Sequence, residues 1–378
     1  MDTKPFLIVG GGIAGLAASL GLARVNQTSR LFEQAPSFEE VGAGLQMSPN
    51  GVRALQWLGA WDGVEPFCVS PSEIHIRDGR SGALLQRILL GKDFEARFGA
   101  PYRVAHRADL MAGLVEQART STMIELNTGV EGISALIAEP ASLGFADGRQ
   151  EQGAAVIAAD GIHSRLRQEF WPASAARHYG HDIHRALIPF ASVPADIASD
   201  CVTLWLCPGG HVVHYPVSNW RQFNIVAATD SGVDWRTIFG ATAPELADLL
   251  AVPETWTDWV AADLAPLASW SKGNLVLMGD AAHAALPYLA QGTAMALEDA
   301  CALATSIASE ASTPEAFQRY QSLRIPRTTL IQDDARSLAK HYHARGLGAL
   351  ARNTAIKLMQ SAGMIEKYNW IYDWQAPS

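Results

Sequence analysis

Three glycines and one carboxylate near the start of the chain have the spacing of a site for a phosphorylated cofactor. Gly10, Gly12 and Gly15 fit G-x-G-x-x-G and directly follow the apolar run 6–9. The first glycine permits a tight turn off a strand, the second lets a pyrophosphate approach the backbone, and the third lets a helix pack close to the sheet. The free N–H groups of that helix N-terminus bind phosphate. The spacing therefore predicts dinucleotide binding.

Glu33 narrows the choice of dinucleotide without completing it. It stands 18 residues after Gly15, at the end of the next strand-like run. A carboxylate there accepts hydrogen bonds from ribose hydroxyls and repels a 2′-phosphate, so NADPH is disfavoured at this site. NAD and FAD both remain open on these residues alone.

A second set of polar side chains lies on one alternating run in the middle of the chain. On a strand, His211 and Tyr215 share one face with Val213, roughly 13 Å apart at Cα, while His214 faces the other way. An imidazole with its ordinary pKa can serve as a base near neutral pH. His211 and Tyr215 could therefore line one pocket, with His211 as a candidate base or hydrogen-bond partner and Tyr215 as a candidate hydrogen-bond donor. The alternative is that both are satisfied structural residues.

The elements that must position these residues alternate between two patterns. The run 6–9, the Ala- and Leu-rich segment 13–24 and the run 30–32 predict a β-α-β unit, in which Asn26 takes the left-handed turn after the helix. Parallel-type strands return at 155–158 and 275–278. Between them, 202–206, 211–215 and 223–227 alternate as in an antiparallel sheet, and the chain beyond Leu286 has a helical pattern.

This order predicts an α/β fold in which a Rossmann-like dinucleotide-binding domain is interleaved with a β-sheet substrate domain and followed by a helical C-terminal segment. The expected domain boundaries are 1–75, 104–175 and 271–310 for the dinucleotide-binding domain, 76–103 and 176–270 for the substrate domain, and 311–378 for the C-terminal helical region.

Composition and charge exclude several classes of partner. The net charge is −9 with no run of Lys or Arg, which disfavours nucleic acid. The four cysteines form no C-x-x-C pair, so no metal site is predicted. No apolar run reaches the ~20 residues that span a bilayer, and the N-terminus lacks a signal-peptide layout. We therefore expect a cytoplasmic protein without stable membrane association.

Several further segments resemble, in order, those of the single-component FAD-dependent aromatic hydroxylases typified by salicylate and hydroxybenzoate hydroxylases. The resemblance covers nearly the whole chain and is carried by Phe32 to Pro36, Val41 to Asn50, His106 to Leu110, Ala159 to Ser164, Gly279 to His283 and Pro287 to Ala300.

The resemblance implies FAD as the cofactor and assigns residues to it. Asp280 would bind the ribityl chain, although it could equally cap the following helix, and Arg107 would reach the sugar-phosphate portion. Asp160 with Gly161 would contact FAD and the nicotinamide donor, although Asp160 could instead cap a turn. The remaining cofactor residues are Gly10, Gly12, Ile13, Ala14, Gly15, Glu33, Gln34, Gly44, Leu45, Val130, Pro287, Gly292, Thr293 and Ala294. Gln291, whose side chain would project from the flavin-facing turn, joins His211 and Tyr215 as a catalytic candidate.

The resemblance also implies a reaction. NADH or NADPH would reduce FAD, and O2 would then give a C4a-hydroperoxyflavin that hydroxylates a small phenolic or hydroxylated N-heteroaromatic substrate, with or without a carboxylate. Two alternatives remain open on the sequence: a related epoxidase or tailoring oxygenase of a larger natural product, and a flavin-binding redox sensor. The sequence gives no oligomeric state.

Overall fold

The structure is a computed structural model, and it describes residues 4–38, 43–128, 140–359 and 361–376. Its strands in chain order are β1 Phe6–Val9, β2 Ser29–Phe32, β3 Gly44–Met47, β4 Glu73–Asp78, β5 Leu84–Leu89, β6 Arg103–His106, β7 Met123–Glu125, β8 Ala141–Gly144, β9 Gln150–Gly153, β10 Val156–Ala158, β11 Arg177–Pro189, β12 Val202–Cys207, β13 Gly210–Val217, β14 Gln222–Asp230, β15 Thr257–Asp263, β16 Ser271–Lys272 and β17 Leu275–Leu277.

The helices separate and cover these strands. They are α1 Ile13–Arg24, α2 Pro49–Trp57, α3 Trp61–Val64, α4 Lys92–Phe98, α5 Arg107–Ala118, α6 Arg165–Phe170, α7 Trp235–Phe239, α8 Pro244–Ala251, α9 Asp280–His283, α10 Gly292–Ser309, α11 Thr313–Tyr342, α12 Gly346–Leu358, α13 Ser361–Lys367 and α14 Asn369–Tyr372. Short 3-10 helices occupy Glu65–Phe67, Phe190–Ser192 and Pro287–Leu289.

The first sheet is the predicted nucleotide-binding sheet, in the order β16-β17-β10-β1-β2-β7. Its pairs are parallel except for the short β16–β17 pair. β1 is completely buried, as expected for an apolar strand with neighbours on both sides and helices above and below. β1 pairs with β2, the next strand along the chain, and with β10, which begins only at Val156, so the α/β fold with interleaved segments is confirmed.

Close helix packing holds the glycine turn of this sheet in place. α1 begins and ends at the predicted residues, and Asn26 has the expected positive φ of 60°. A Cβ on Gly21 would lie 2.8 Å from the carbonyl oxygen of Ala300, so α1 and α10 touch backbone to backbone. This contact fixes α1 against α10 in the last third of α1.

The second sheet is the predicted substrate-side sheet, in the order β15-β11-β14-β13-β12-β4-β5. The antiparallel pairing of β12, β13 and β14 is confirmed, whereas β12 pairs with β4 in parallel. β4 begins at Glu73, three residues before the expected boundary at 76, and β16 lies in the first sheet. The division into domains remains a prediction.

One long strand escaped the sequence patterns. β11 has 13 residues, and its first half contains Gly180, two histidines and one aspartate. Its register with β15 shifts between His178 and Asp182. This irregularity breaks the polar-apolar alternation that signals a strand.

The helical C-terminal region is also confirmed, and buried ion pairs fasten it to the rest. Arg324 on α11 lies 2.7 Å from both Glu298 and Asp299 on α10, and all three side chains are almost completely buried. Near the end of the chain, the guanidinium of Arg53 on α2 donates to the carbonyl of Trp374 at 2.9 Å. The last described residues therefore pack against a helix that begins at residue 49.

Candidate active site

The glycine turn has the geometry that a pyrophosphate requires. Gly10 has φ +102°, and a Cβ there would lie 2.4 Å from the Ala159 carbonyl oxygen. A Cβ on Gly15 would lie 1.9 Å from the Gly10 carbonyl oxygen, so Gly15 is a packing residue. α1 has no side-chain cap and no acid in its first turn. Its N-terminal N–H groups and positive dipole end therefore remain available to an anion.

Glu33 stands at the rim of a cavity of about 350 Å³ beside this turn. Its two carboxylate oxygens accept hydrogen bonds from the backbone N–H of Gly11 at 2.5 Å and of Ala35 at 2.8 Å. These bonds fix the carboxylate, and its remaining lone pairs can accept from ribose hydroxyls. Other residues of this cavity are Gly10, Gly12, Gln34, Asp160, Gly161, His163 and Arg165.

A second cavity, of about 360 Å³, adjoins the first and shares Gly12, Ala159 and Gly161 with it. It runs from the α1 N-terminus to the second sheet. The cofactor residues predicted from the sequence that line it are Gly12, Ile13, Ala14, Gly44, Leu45, Arg107, Gly161, Asp280, Pro287, Gly292 and Thr293. Two adjacent cavities that share residues at the glycine turn can hold the two halves of an elongated dinucleotide, with the phosphates between them.

The sequence left two roles open for both Asp280 and Asp160, cofactor binding or capping, and the structure gives a different answer for each residue. The N-cap of α9 is Gly279, while Asp280 is exposed and lines the second cavity, so Asp280 does not cap the helix. Asp160 does stabilise its turn, because one carboxylate oxygen accepts from the N–H of Arg165 at 2.9 Å. Burial raises the pKa of Asp160 above its ordinary value. Asp160 is therefore positioned both to hold the turn and to face the first cavity.

The wall opposite the cofactor residues is a three-strand face of the second sheet. Strand register places Ile183, Ala228 and His211 in one row, and Arg185, Val226 and Val213 in the next. All six line the 360 Å³ cavity together with Tyr215, so His211, Val213 and Tyr215 share one face as the alternation predicts. The face is apolar between its polar residues, which helps to exclude water.

His211 is buried deeply enough to change its acid-base behaviour. Its side chain is 5% exposed, and burial, with His343 next in importance, lowers its pKa well below 6.5. The expectation of an ordinary imidazole pKa is therefore wrong, because the strand carries this ring into the core. Nδ1 of His211 lies 3.3 Å from Nε2 of His343. Nε2 of His211 makes no hydrogen bond to the described part of the chain, which leaves it for a ligand in the cavity.

Tyr215 and Gly44, the first residue of β3, meet where the small β3–β6 sheet contacts the second sheet. Tyr215 is 3% exposed, and burial raises the pKa of its phenol above the ordinary value, so the group stays a neutral donor. The N–H of Gly44 donates to Oδ1 of Asn224 at 2.8 Å. A Cβ on Gly44 would lie 2.5 Å from Cγ of Asn224 and 2.7 Å from Cε2 of Tyr215. Only glycine permits this approach.

The expectation that Gln291 projects into the cavity is wrong. Its amide oxygen accepts from Nδ2 of Asn50 at 3.0 Å, and its nitrogen donates to the hydroxyl of Ser48 at 2.9 Å. Gln291 is 5% exposed and does not line either cavity. Because both ends of the amide are satisfied by α2, the side chain joins α10 to α2 and does not reach a substrate.

Two other predicted residues lie away from the cavities, and one lies outside the described residues. Gly15 is packed under the glycine turn, and Ala294 is completely buried 3.2 Å from where a Cβ of Gly51 would lie. Val130 falls in the segment 129–139, which the described residues do not include. His283, at the end of α9, is buried with Nε2 2.5 Å from a carboxylate oxygen of Asp299, and it lines neither cavity.

Three residues near the substrate face were not among the predicted site residues. Arg185 and Tyr288 line the cavity, and His343 lies behind His211. Arg185 lies on β11, and only the register of that strand places it on the face that carries His211. Nothing in the pattern around His343 distinguishes it from His341, because its position depends on where α11 ends.

The residues fit FAD. The uncapped helix N-terminus, the fixed carboxylate of Glu33 and the exposed carboxylate of Asp280 suit its phosphates, its adenosine ribose and its ribityl chain, respectively. No helix in the described residues is long and apolar enough to cross a membrane.

Comparison with known proteins agrees with this geometry. Residues 3–335 match the FAD binding domain family. A 3-hydroxybenzoate 6-hydroxylase of Polaromonas naphthalenivorans (strain CJ2) is 34% identical over 98% of this chain and 96% of its own. A 6-hydroxynicotinate 3-monooxygenase of Bordetella bronchiseptica (strain ATCC BAA-588 / NCTC 13252 / RB50) is 32% identical over 88% of this chain and 91% of its own.

A solved structure gives the same result at the level of the fold. HpxO of Klebsiella pneumoniae, complexed with FAD and uric acid, superposes with a TM-score of 0.87 at 25% identity, over 97% of this chain and 96% of that one. With the glycine turn, both cavities and the substrate face in place, the chain belongs to the FAD binding domain family and, within it, to the FAD-dependent aromatic hydroxylases.

Proposed function

We propose that this chain is an NAD(P)H-dependent FAD monooxygenase that hydroxylates a one-ring aromatic acid carrying a ring hydroxyl, either a hydroxybenzoate or a hydroxylated N-heteroaromatic carboxylate. The observation that carries the proposal is Arg185. It lines the cavity, its Nε is buried, and its guanidinium makes no hydrogen bond or ion pair within the described ranges. Its neighbour is the ring of Trp259, 5.5 Å away.

A cation left without an anion in a cavity favours an anionic ligand. Burial leaves the charge of Arg185 poorly solvated and so lowers its pKa below the ordinary value. A carboxylate would replace the lost hydration of the guanidinium with a bidentate pair of charge-assisted hydrogen bonds. The two relatives above are named for acids, a hydroxybenzoate and a hydroxynicotinate, that combine a carboxylate with a ring hydroxyl.

The distances across the face suit a single ring. Arg185 and His211 lie two strands apart and two residues out of register, which puts their Cα atoms roughly 12 Å apart. Arg185 would hold the carboxylate, His211 would accept the proton of the ring hydroxyl, and Tyr215 would donate a hydrogen bond. A cavity of about 360 Å³ that also receives the flavin ring leaves little room for a larger natural product.

The cofactor supplies the redox chemistry and the chain supplies the geometry. When bound and reduced by NAD(P)H, FAD supplies the electrons that turn O2 into an electrophilic oxygen donor. Ile183, Val213 and Val226 exclude water around the ring. Removal of the hydroxyl proton by His211 would make the ring more electron-rich and therefore easier to attack by an electrophile.

The test is a substrate screen on the FAD-loaded protein. Hydroxybenzoates and hydroxynicotinates are compared with neutral partners such as the hydroxybenzyl alcohols, following NADH and NADPH oxidation and the mass of the products. We expect at least one acid to accelerate oxidation and to gain one oxygen atom, while its neutral partner is a poor substrate. If no acid gains oxygen, the proposal is wrong.

The cysteines and the net charge support two further inferences, about location and about partners. We infer a reducing, cytoplasmic setting because all four cysteines are free thiols, and burial raises the pKa of Cys68 and Cys207 to about 12. The negative net charge supports the inference that nucleic acid is not a partner.

A further inference from the structure

His211 is the inner end of a polar chain that reaches the surface. Its Nδ1 lies 3.3 Å from Nε2 of His343, and Nδ1 of His343 lies 2.8 Å from Oδ1 of Asp230. The side chain of Asp230 is 36% exposed, whereas that of His343 is 5% exposed. His211 is on β13, His343 directly follows α11 and Asp230 ends β14, so these three side chains come together only in the folded protein.

We propose that His211, His343 and Asp230 form a proton relay that carries the proton of the substrate hydroxyl from the cavity to solvent. This inference rests on the proposed function, because it assigns the exit route of the proton that His211 accepts there.

The protons balance along the relay. At the start, His211 carries its proton on Nδ1 and donates to Nε2 of His343, which carries its own on Nδ1 and donates to Asp230. The hydroxyl gives its proton to Nε2 of His211, Nδ1 of His211 gives its proton to Nε2 of His343, and Nδ1 of His343 gives its proton to Asp230. Asp230 then releases the proton to water. The substrate is left as a phenolate, both rings are neutral in their other tautomer, and Asp230 is again a carboxylate.

Burial explains why His211 needs a second acceptor. A phenol has an ordinary pKa of ~10, while burial lowers the pKa of His211 well below 6.5. An isolated His211 would therefore hold a phenol proton poorly. Burial also lowers the pKa of His343, so neither ring stores the charge. A transfer between neutral tautomers avoids a buried imidazolium.

The outer end is suited to be the exit. Partial burial opposes ionisation of Asp230, but hydrogen bonds from His343 and Arg345 outweigh it and lower its pKa. Asp230 therefore stays a carboxylate at neutral pH and returns a proton to water readily. Arg345 holds the other oxygen of Asp230 at 2.7 Å, which fixes the carboxylate toward His343.

A parallel route through Tyr288 is interrupted. Tyr288 lines the cavity, and its hydroxyl lies 2.5 Å from Nδ1 of His181. Nε2 of His181, however, is 3.7 Å from Oδ1 of Asp230, which is beyond hydrogen-bond distance. The His343 route has a hydrogen bond at each step within the protein. The titratable and charged groups that face the relay are His181, Tyr288, Tyr342, Arg345 and Arg352.

The experiment compares two relay variants with a matched control. His343→Gln and Asp230→Asn keep size and polarity but cannot pass a proton on. His341→Gln is the control, since His341 is an exposed histidine two residues away whose ring Nδ1 bonds to the Ser337 carbonyl and not to the relay. FAD-loaded proteins are mixed with 3-hydroxybenzoate, and phenolate absorbance is followed by stopped flow alongside kcat and KM. A nitro-substituted 3-hydroxybenzoate, already ionised at the assay pH, is the second probe.

We expect both relay variants to form phenolate about 10²-fold more slowly and to lose kcat to a similar extent, with KM within about threefold. The pre-ionised probe should bind equally fast to all four proteins, which a merely distorted pocket would not allow. Phenolate formation at the wild-type rate in both relay variants overturns the relay. If His343→Gln does not fold, Asp230→Asn decides, because that change is at the exposed end. Failure of the proposed function is distinct: wild-type protein would then give no hydroxylated product from any acid.

Discussion

At the scale of single residues, the charge state of each side chain on the substrate face follows from its burial. The same burial keeps His211 neutral, keeps the phenol of Tyr215 protonated and leaves Arg185 charged but poorly solvated. The face therefore offers one acceptor, one neutral donor and one cation. This combination matches a ring that carries both a hydroxyl and a carboxylate.

Replacement of Arg185 should affect acids selectively. Charge-assisted hydrogen bonds contribute about 1.5–3 kcal/mol, so Arg185→Gln is expected to raise KM for the aromatic acid by about 10- to 100-fold. The neutral hydroxybenzyl alcohol should be used as well as before. The measurement is steady-state kinetics with both compounds, at constant FAD occupancy.

Arg177→Gln is the control for this prediction. Arg177 lies on the same strand as Arg185, but its guanidinium is half exposed and pairs with Asp263 at 3.1 Å. Equal changes in KM for the acid in the two variants would show that Arg185 does not bind the carboxylate.

Parts of the site that depend on neighbouring residues were predictable, and parts that depend on register were not. Gly10, Gly12 and Glu33 belong to one β-α-β unit, so local spacing was enough. Gln291 was misplaced because its environment is set by Ser48 and Asn50, more than 240 residues away. His343 could not be found at all, since the distance between its ring and His211 depends on the end of a 30-residue helix.

At the scale of elements, the substrate face is completed by the edge of a small sheet. β3 pairs with β6 in a two-stranded sheet, and its first residue, Gly44, touches β13 and β14 through Tyr215 and Asn224. The contact couples a cofactor-side loop to the substrate-side strands, and it tolerates no side chain.

Gly44→Ala should therefore loosen the pocket. Its Cβ would overlap Asn224 and Tyr215, and overpacking of this kind typically costs about 1–3 kcal/mol. We expect a lower melting temperature and a higher KM for the aromatic acid, measured by thermal unfolding and kinetics of the FAD-loaded protein.

Gly91→Ala provides the comparison. Gly91 precedes α4 with φ −75°, and a Cβ there would meet nothing within 4 Å. Identical melting temperatures for the two variants would show that the close approach at Gly44 is not needed.

The elements themselves were largely predictable where one pattern ran unbroken. α1, β1 and the three strands β12 to β14 lie where their patterns placed them. β11 was missed because its bulge interrupts the polar-apolar alternation. The row that places Arg185 beside Val226 was therefore missed as well. The sequence pattern thus indicated the face but not its third strand.

At the scale of the whole molecule, buried neutral histidines make stability depend on pH. His214 is 1% exposed, its Nε2 accepts from Nε1 of Trp205 at 2.9 Å, and burial lowers its pKa to about 3. Burial likewise lowers the pKa of His181 to about 4. Both rings are neutral in the folded state wherever the unfolded chain would begin to protonate them.

The free energy of unfolding should therefore fall as pH falls from about 6.5 toward 4. Below the ordinary histidine pKa, His214 binds a proton in the unfolded chain but stays neutral in the folded one. This difference lowers the free energy of unfolding by up to about 1.4 kcal/mol per pH unit. Above pH 6.5 this contribution is constant. Denaturant unfolding between pH 7 and 4.5 measures the slope, which His214→Gln should reduce by about one proton.

The exposed His178 gives the matched control, because His178→Gln removes a histidine without changing a buried one. If wild type, His214→Gln and His178→Gln all give the same slope, the assignment of this pH dependence to His214 is wrong.

The strand order of the first sheet also determines when, during translation, that sheet can be completed. β1 is made among the first ten residues, yet its neighbour β10 is flanked by β17, which begins at Leu275. At a synthesis rate of ~5–20 residues per second, roughly 15–50 s separate the two on the ribosome. During that interval the apolar strand that precedes the glycine turn exists without its completed sheet. The interleaving that places cofactor and substrate side by side therefore also delays the enzyme's nucleotide-binding sheet until most of the chain has been translated.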